Sequence, residues 1–129
     1  MKIKIGPFPN HRFYHNWLYN WFGYSPKQRT SIKIHNYDTW SMDSTLAPII
    51  LPMLVQLKET KHGHPADLTE QEWDEILDEM IWAFEQKCRD DWMEDYDYNK
   101  WDSEGVKAHQ ERMTNGFRLF GTHYENLWD

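Results

Sequence analysis

The sequence predicts a mostly helical fold of the α+β class, in which a small two-stranded β element is packed by three main α-helices. Two short segments near the start alternate apolar and charged residues, which is typical of strands. The rest carries apolar residues at helical spacing, divided by turn signals, and predicts long helices at about 45–61, 69–91 and 104–127. At 129 residues the chain has the size of one domain, so we predict a single domain over 1–129.

The two strands are predicted at residues 2–5 and at Thr30–Tyr37. Because side chains alternate along a strand, Ile32 and Ile34 would point to one face of the sheet. Lys33 and His35 would point to the other. A ring-rich segment between the strands predicts a short helix near 11–22. A two-stranded sheet is only marginally stable in water, so we expect helices to cover one of its faces.

The long helices have recognisable ends. For the first, we expect Asp43 or Ser44 to cap the N-terminus, with Pro48 inside the first turn. The second should begin at the capping box of residues 69–72, and its apolar stripe reaches Cys88, whose thiol we expect to be buried. In the third, two glycines at 116 and 121 stand beside large rings, which predicts close packing against another element.

Charge is distributed unevenly along the chain, whose net charge is −7. Residues 1–65 carry eight Lys and Arg against three acids, or +5, whereas residues 66–129 carry six against 18, or −12. One interpretation is that the acidic half is simply a solvated helical surface. The other is that the basic half holds an anion while the acidic half repels non-specific nucleic acid. There is no long basic stripe, so we do not expect duplex nucleic acid as the main partner.

The composition also indicates a compartment. Cys88 is the only cysteine, so the chain cannot form an internal disulfide, which fits a reducing environment. The longest apolar stretch, 46–57, is interrupted by prolines and is too short to cross a bilayer. The first residues do not resemble a signal peptide. We therefore expect a cytoplasmic protein with no membrane partner.

Motifs for catalysis or metal binding are weak. Asp95–Asn99 begins like a calcium loop, but Lys100 stands where glycine is needed and Val106 where a bidentate Glu is needed. His62 and His64 lack a second cluster that would complete a metal site. We predict no catalytic residue, metal or cofactor, and we lean against an enzyme. The acidic segment 90–102 fits a solvated loop.

Cations interleaved with rings form the remaining candidate site. Arg and Lys side chains satisfy phosphate oxygens, and aromatic faces stack on bases. The alternative is that the rings belong to the core and the cations cover its rim. The predicted ligand-binding residues are Arg29, Lys33, His35, Tyr37, Trp40 and Asp43.

Several blocks of sequence resemble a known family. They are YDTWSMDSTLA at 37–47, PMLVQLKETKHG at 52–63, LDEMIWAFE at 77–85, NGFRLFG at 115–121 and the ending LWD. They are similar to a widespread group of small, uncharacterised tailed-bacteriophage proteins, from which residues 8–30 depart. The resemblance implies a phage origin and a host-cytoplasm setting. It implies no reaction and no catalytic residue.

These observations lead to one main functional hypothesis and several alternatives. The main one is a phage accessory protein that binds and sequesters a small anionic, nucleotide-type ligand, for example a host immune signal, as a homo-oligomer. An alternative is an acidic interaction protein that inhibits a host protein or mimics nucleic acid. A virion or assembly component is a further alternative, and an enzyme comes last.

Overall fold

The computed structural model describes residues 1–7, 13–23, 27–89, 91–96 and 103–128. These residues fall into two compact units, which we call the N-terminal unit (Met1–Trp40) and the helical unit (Ser41–Asp129). That both belong to one folding domain stays a prediction.

The N-terminal unit contains an antiparallel two-stranded ribbon and a short helix. Strand β1 spans Lys2–Ile5, helix α1 spans Phe13–Phe22 and strand β2 spans Thr30–Lys33. Ile3 lies directly opposite Ile32 in the ribbon. The helix ends at Gly23, whose φ of 63° is the left-handed conformation that favours glycine at this position.

The helical unit consists of three long helices with α3 in the middle. Helix α2 spans Met42–Thr60, α3 spans Glu70–Cys88 and α4 spans Ser103–Thr122, and α3 packs against both others. Its core is formed by apolar side chains from all three helices that are at most 6% exposed. They are Ala47, Leu54, Trp73, Leu77, Met80, Ala83, Phe84 and Met113. None of the described helices combines the length and apolar composition needed to span a membrane.

Helix α3 begins as its sequence predicts. The Thr69 hydroxyl accepts the backbone N–H of Glu72 at 3.2 Å, and the Glu72 carboxylate accepts the backbone N–H of Thr69 at 2.8 Å. The two side chains thereby satisfy N–H groups that a helix start leaves without partners. The predicted capping box is confirmed, and so is the mostly helical α+β class with its two-stranded sheet.

Several predicted boundaries are wrong. Helix α2 begins at Met42, so neither Asp43 nor Ser44 precedes it as a cap, and Pro48 lies beyond its first turn. Strand β2 stops at Lys33, because Asn36–Thr39 forms a 3-10 turn instead of extended chain.

The ends of α3 and α4 also differ from the prediction. Helix α3 stops at Cys88, and the thiol is exposed because it occupies the last position of the helix. Helix α4 stops at Thr122, and a separate 3-10 turn at Tyr124–Asn126 follows it.

Gly116 marks the closest approach of α3 and α4. It is buried, and a Cβ atom built on it would lie 2.3 Å from the Cβ of Ala83 and 2.7 Å from the carbonyl oxygen of Glu79. Only a residue without a side chain allows the two backbones to come this close. Gly121 has no neighbour within 4 Å of such a Cβ atom. The predicted close packing is therefore confirmed for Gly116 and wrong for Gly121.

Candidate functional site

The ribbon carries lysine and arginine on one of its two faces. Lys2 lies directly opposite Lys33, and Lys4 lies opposite Ser31. The pairing continues for one more position, because the backbone N–H of Gly6 donates to the carbonyl of Arg29 at 2.8 Å. Alternation along each strand places these side chains on the same face. A Cβ atom on Gly6 would lie 3.7 Å from that of Arg29, which supports the placement of the arginine there.

We call this surface the basic face and define it by Lys2, Lys4, Arg29 and Lys33. All four side chains are exposed, and none of them forms an ion pair within the described part of the chain. Like charges directly opposite each other on a sheet are destabilising. The repulsion between Lys2 and Lys33 therefore destabilises the ribbon, and an anion bound on this face would remove it.

The cations of the helical unit behave differently. Six of the seven described there lie within 4.0 Å of a carboxylate, and the seventh, Arg118, donates to Asn115 at 2.7 Å. The six ion pairs are Lys58–Asp78, Lys61–Asp74, Lys87–Asp43, Arg89–Asp95, Lys107–Glu111 and Arg112–Glu79. Among the described Lys and Arg side chains, those without a carboxylate partner are therefore concentrated in the N-terminal unit, where the basic face lies.

Aromatic rings follow directly after the ribbon. The rings of His35 and Tyr37 are stacked, with centroids 5.3 Å apart and planes 8° from parallel. Trp40 is 88% exposed and Tyr37 62%. The turn that carries them is held by Asp38, which accepts the backbone N–H of His35 at 2.7 Å. This hydrogen bond is the main reason why the pKa of Asp38 is lowered from its ordinary value.

Asp43, the sixth predicted ligand-binding residue, belongs to the helical unit. It lies in the first turn of α2, and its carboxylate is 2.5 Å from the ammonium group of Lys87 on α3. That hydrogen bond, followed by those from the backbone of Ser44 and of Asp43 itself, lowers the pKa of the carboxyl group. The other five predicted residues all lie in the N-terminal unit.

Asp43 lines a cleft of about 600 Å³ in the helical unit. The apolar part of the lining comes from all three helices, and two cations stand among the polar lining residues. We call this space the cleft and define it by Asp43, Ser44, Leu46, Ile50, Phe84, Lys87, Arg89, Trp92, Gln110, Met113 and Phe117. The cleft could not be predicted from the sequence, because no single segment contains more than four of these residues.

Rings pack around His109 on α4. The Trp92 ring stacks on the imidazole with centroids 4.5 Å apart, and the Tyr96 hydroxyl lies 2.8 Å from Nδ1. The other nitrogen, Nε2, is buried and has no hydrogen-bond partner within the described part of the chain. Burial, more than any neighbouring charge, lowers the pKa of His109 from its ordinary value. The imidazole is therefore held in its neutral form at neutral pH.

Some sequence predictions concern residues outside the described ranges. They include residues 97–100 of the calcium-like motif that begins at Asp95, and residues 90 and 97–102 of the acidic segment 90–102. Among the described residues, no group of three or more His, Cys, Asp and Glu side chains could hold a metal ion. Lys2 and Lys4 were missed as candidate ligands. The period-two pattern of residues 2–5 could have found them, since it places both lysines on one face.

Comparisons with family models, with curated proteins and with solved structures gave no match for this chain. The resemblance to tailed-bacteriophage proteins stays a prediction.

Proposed function

We propose that the protein binds a small nucleotide-type anion on the basic face of its N-terminal unit. The observation that carries the proposal is the contrast in ion pairing. Within the described part of the chain, none of the four cations of the basic face has a carboxylate partner, whereas six of the seven in the helical unit do. A phosphate group supplies the missing counter-charge through charge-assisted hydrogen bonds, which are stronger than neutral ones.

The charge of the whole unit supports the same proposal. Residues 1–40 contain six Lys and Arg against a single acid, Asp38, which gives a formal charge of +5. Asp38 is only 11% exposed and is held by its hydrogen bonds. It therefore competes little with an anionic ligand for the cations of the unit. The positive potential therefore raises the local concentration of anions and favours rapid association.

Exposed rings in the same unit favour a ligand that contains a base. Tyr37 and Trp40 have exposed faces, and base–aromatic stacking contributes about 1–3 kcal/mol per base in proteins that bind single strands. Arg29, Lys33, His35, Tyr37 and Trp40 thus remain the proposed ligand-binding residues, now joined by Lys2 and Lys4. Asp43 is left out of the proposal, because it belongs to the helical unit and is paired there with Lys87.

The setting we propose is that of a phage accessory protein in the host cytoplasm, where it would sequester a nucleotide immune signal. This rests on the sequence resemblance. We also propose a homo-oligomer, because Trp17, Trp21 and Phe22 of α1 are between 52% and 72% exposed. Light scattering of the purified chain tests this part, and a monomer at all concentrations would contradict it.

The acidic interaction protein is supported less well by the geometry. Mimicry of nucleic acid requires free carboxylates, but Asp74 and Asp78 on α3 are paired with Lys61 and Lys58. Glu79 is held in the same way by Arg112, at 2.8 Å.

The test is calorimetric titration of the purified chain with a panel of mononucleotides, cyclic dinucleotides and ADP-ribose derivatives. We expect at least one of them to bind, with an affinity that falls as salt is added. Lys33→Gln should weaken binding about tenfold, because it removes one charge-assisted hydrogen bond.

Lys27→Gln is the matched control, since Lys27 is exposed in the same unit but lies outside the strands. It should change the affinity much less than Lys33→Gln does. No binding to any compound at low salt, or equal losses in the two variants, would refute the proposal.

A further inference from the structure

The cleft of the helical unit is a candidate for a second, separate binding site. Its inner surface is apolar: Leu46, Ile50 and Phe117 remain partly exposed to water, and they stand beside Phe84 and Met113, which are 6% and 3% exposed. Its volume of about 600 Å³ lies within the range of small-molecule sites. A compound with an apolar body would gain free energy here by removing this surface from water.

One wall of the cleft is held rigid by contacts behind it. The Trp92 ring stacks on His109 at 4.5 Å with planes 20° apart. Arg89 binds Asp95 through both of its terminal nitrogens, at 3.0 and 3.1 Å, and binds Asp91 through Nε at 3.1 Å. Arg89 is therefore neutralised by two carboxylates. A wall that is already ordered loses little conformational entropy when a ligand binds.

Lys87 is the cation at the cleft whose carboxylate partner a ligand can replace most easily. Its partner, Asp43, is 66% exposed on its side chain, and exposed ion pairs of this kind contribute little net stability. An incoming anionic group can therefore replace Asp43 at low cost. Replacing the two carboxylates on Arg89 would require breaking three hydrogen bonds at once.

We propose that the cleft binds a small amphipathic monoanion, with an aromatic or short alkyl body on the apolar floor and one anionic group on Lys87. The ligand class differs from the polyphosphate chemistry of the basic face, because one lysine matches one anionic group. This inference is independent of the function proposed for the N-terminal unit.

The probe for the test is 1-naphthalenesulfonate, an aromatic monoanion, added to the full chain labelled with ¹³C at its methionine methyl groups. Met113 lines the cleft, whereas Met53 on α2 does not and is 66% exposed. We expect the Met113 resonance, assigned with Met113→Leu, to shift in a saturable way while that of Met53 stays in place. The neutral analogue 1-naphthalenemethanol should bind at least tenfold more weakly.

Two lysine variants supply the matched comparison. Lys87→Gln removes the cation at the cleft, and Lys58→Gln breaks the ion pair with Asp78, which joins the same two helices away from the cleft. We expect Lys87→Gln to weaken probe binding about tenfold and Lys58→Gln to leave it unchanged. An unmoved Met113 resonance, equal binding of the neutral analogue, or equal effects of the two variants would overturn the proposal.

Discussion

Replacement of Gly116 by alanine tests the packing of α3 against α4. The new Cβ atom would lie 2.3 Å from the Cβ of Ala83 and 2.7 Å from the carbonyl oxygen of Glu79. Non-bonded heavy atoms prefer separations of about 3.5–4.0 Å, so the two helices must move apart by about 1 Å. Such overpacking costs about 1–3 kcal/mol. The better helix propensity of alanine offsets up to about 1 kcal/mol of this cost. We therefore expect a net decrease in the free energy of unfolding.

Gly121→Ala is the control in the same helix. Nothing lies within 4 Å of its new Cβ atom, so only the gain in helix propensity remains. This variant should be more stable than the parent by about 0.5–1 kcal/mol. Urea denaturation followed by circular dichroism measures both free energies of unfolding. If Gly116→Ala is stabilised as much as Gly121→Ala, the close approach of the two helices is refuted.

Three further predictions concern the helical unit. Thr69→Ala removes the hydroxyl that accepts the N–H of Glu72, so the free energy of unfolding should fall by about 1 kcal/mol in urea melts. Leu77 is fully buried, so Leu77→Ala should cost about 2–5 kcal/mol in the same assay, and a loss below 1 kcal/mol would contradict its place in the core. The pKa of His109 is lowered in the folded chain from an ordinary 6.5, so the unfolded chain binds more protons just below pH 6.5. Stability from the neutral imidazole is therefore complete above pH 6.5 and is lost as the pH falls toward the lowered pKa. His109→Phe should lose less stability than the parent between pH 7.5 and 5.5, and equal losses would contradict the burial of Nε2.

The elements that sequence predicts well are those fixed by local chemistry. Residues 2–5 alternate and form β1, and the side chains at Thr69 and Glu72 satisfy the first N–H groups of α3. At the end of β2, where the predicted boundary is wrong, a local contact stops the strand. The Asp38 carboxylate accepts a hydrogen bond from the backbone N–H of His35 and so stabilises a turn. Strand β2 therefore stops before its predicted end at Tyr37.

The candidate sites also combine features that local sequence predicts with features that depend on tertiary structure. The period-two pattern predicts that Lys33 and its neighbours in β2 alternate between faces, but the register that brings Lys2 opposite Lys33 is a tertiary property. The cleft is lined by residues from all three long helices, which are far apart in the sequence, so it depends on the tertiary packing. The partner of Asp43 is Lys87, 44 residues away, and charge patterning alone could not select it among the other lysines.

An NMR titration of the ¹⁵N-labelled chain with the tightest-binding nucleotide tests the central claim most directly, because it locates the ligand. We predict that amide shifts concentrate on the ribbon, at Lys4, Ser31 and Lys33, and on the turn that carries Tyr37. The shifts should weaken together as salt is added. Shifts confined to residues 41–128, with the ribbon amides unmoved at saturation, would contradict the account.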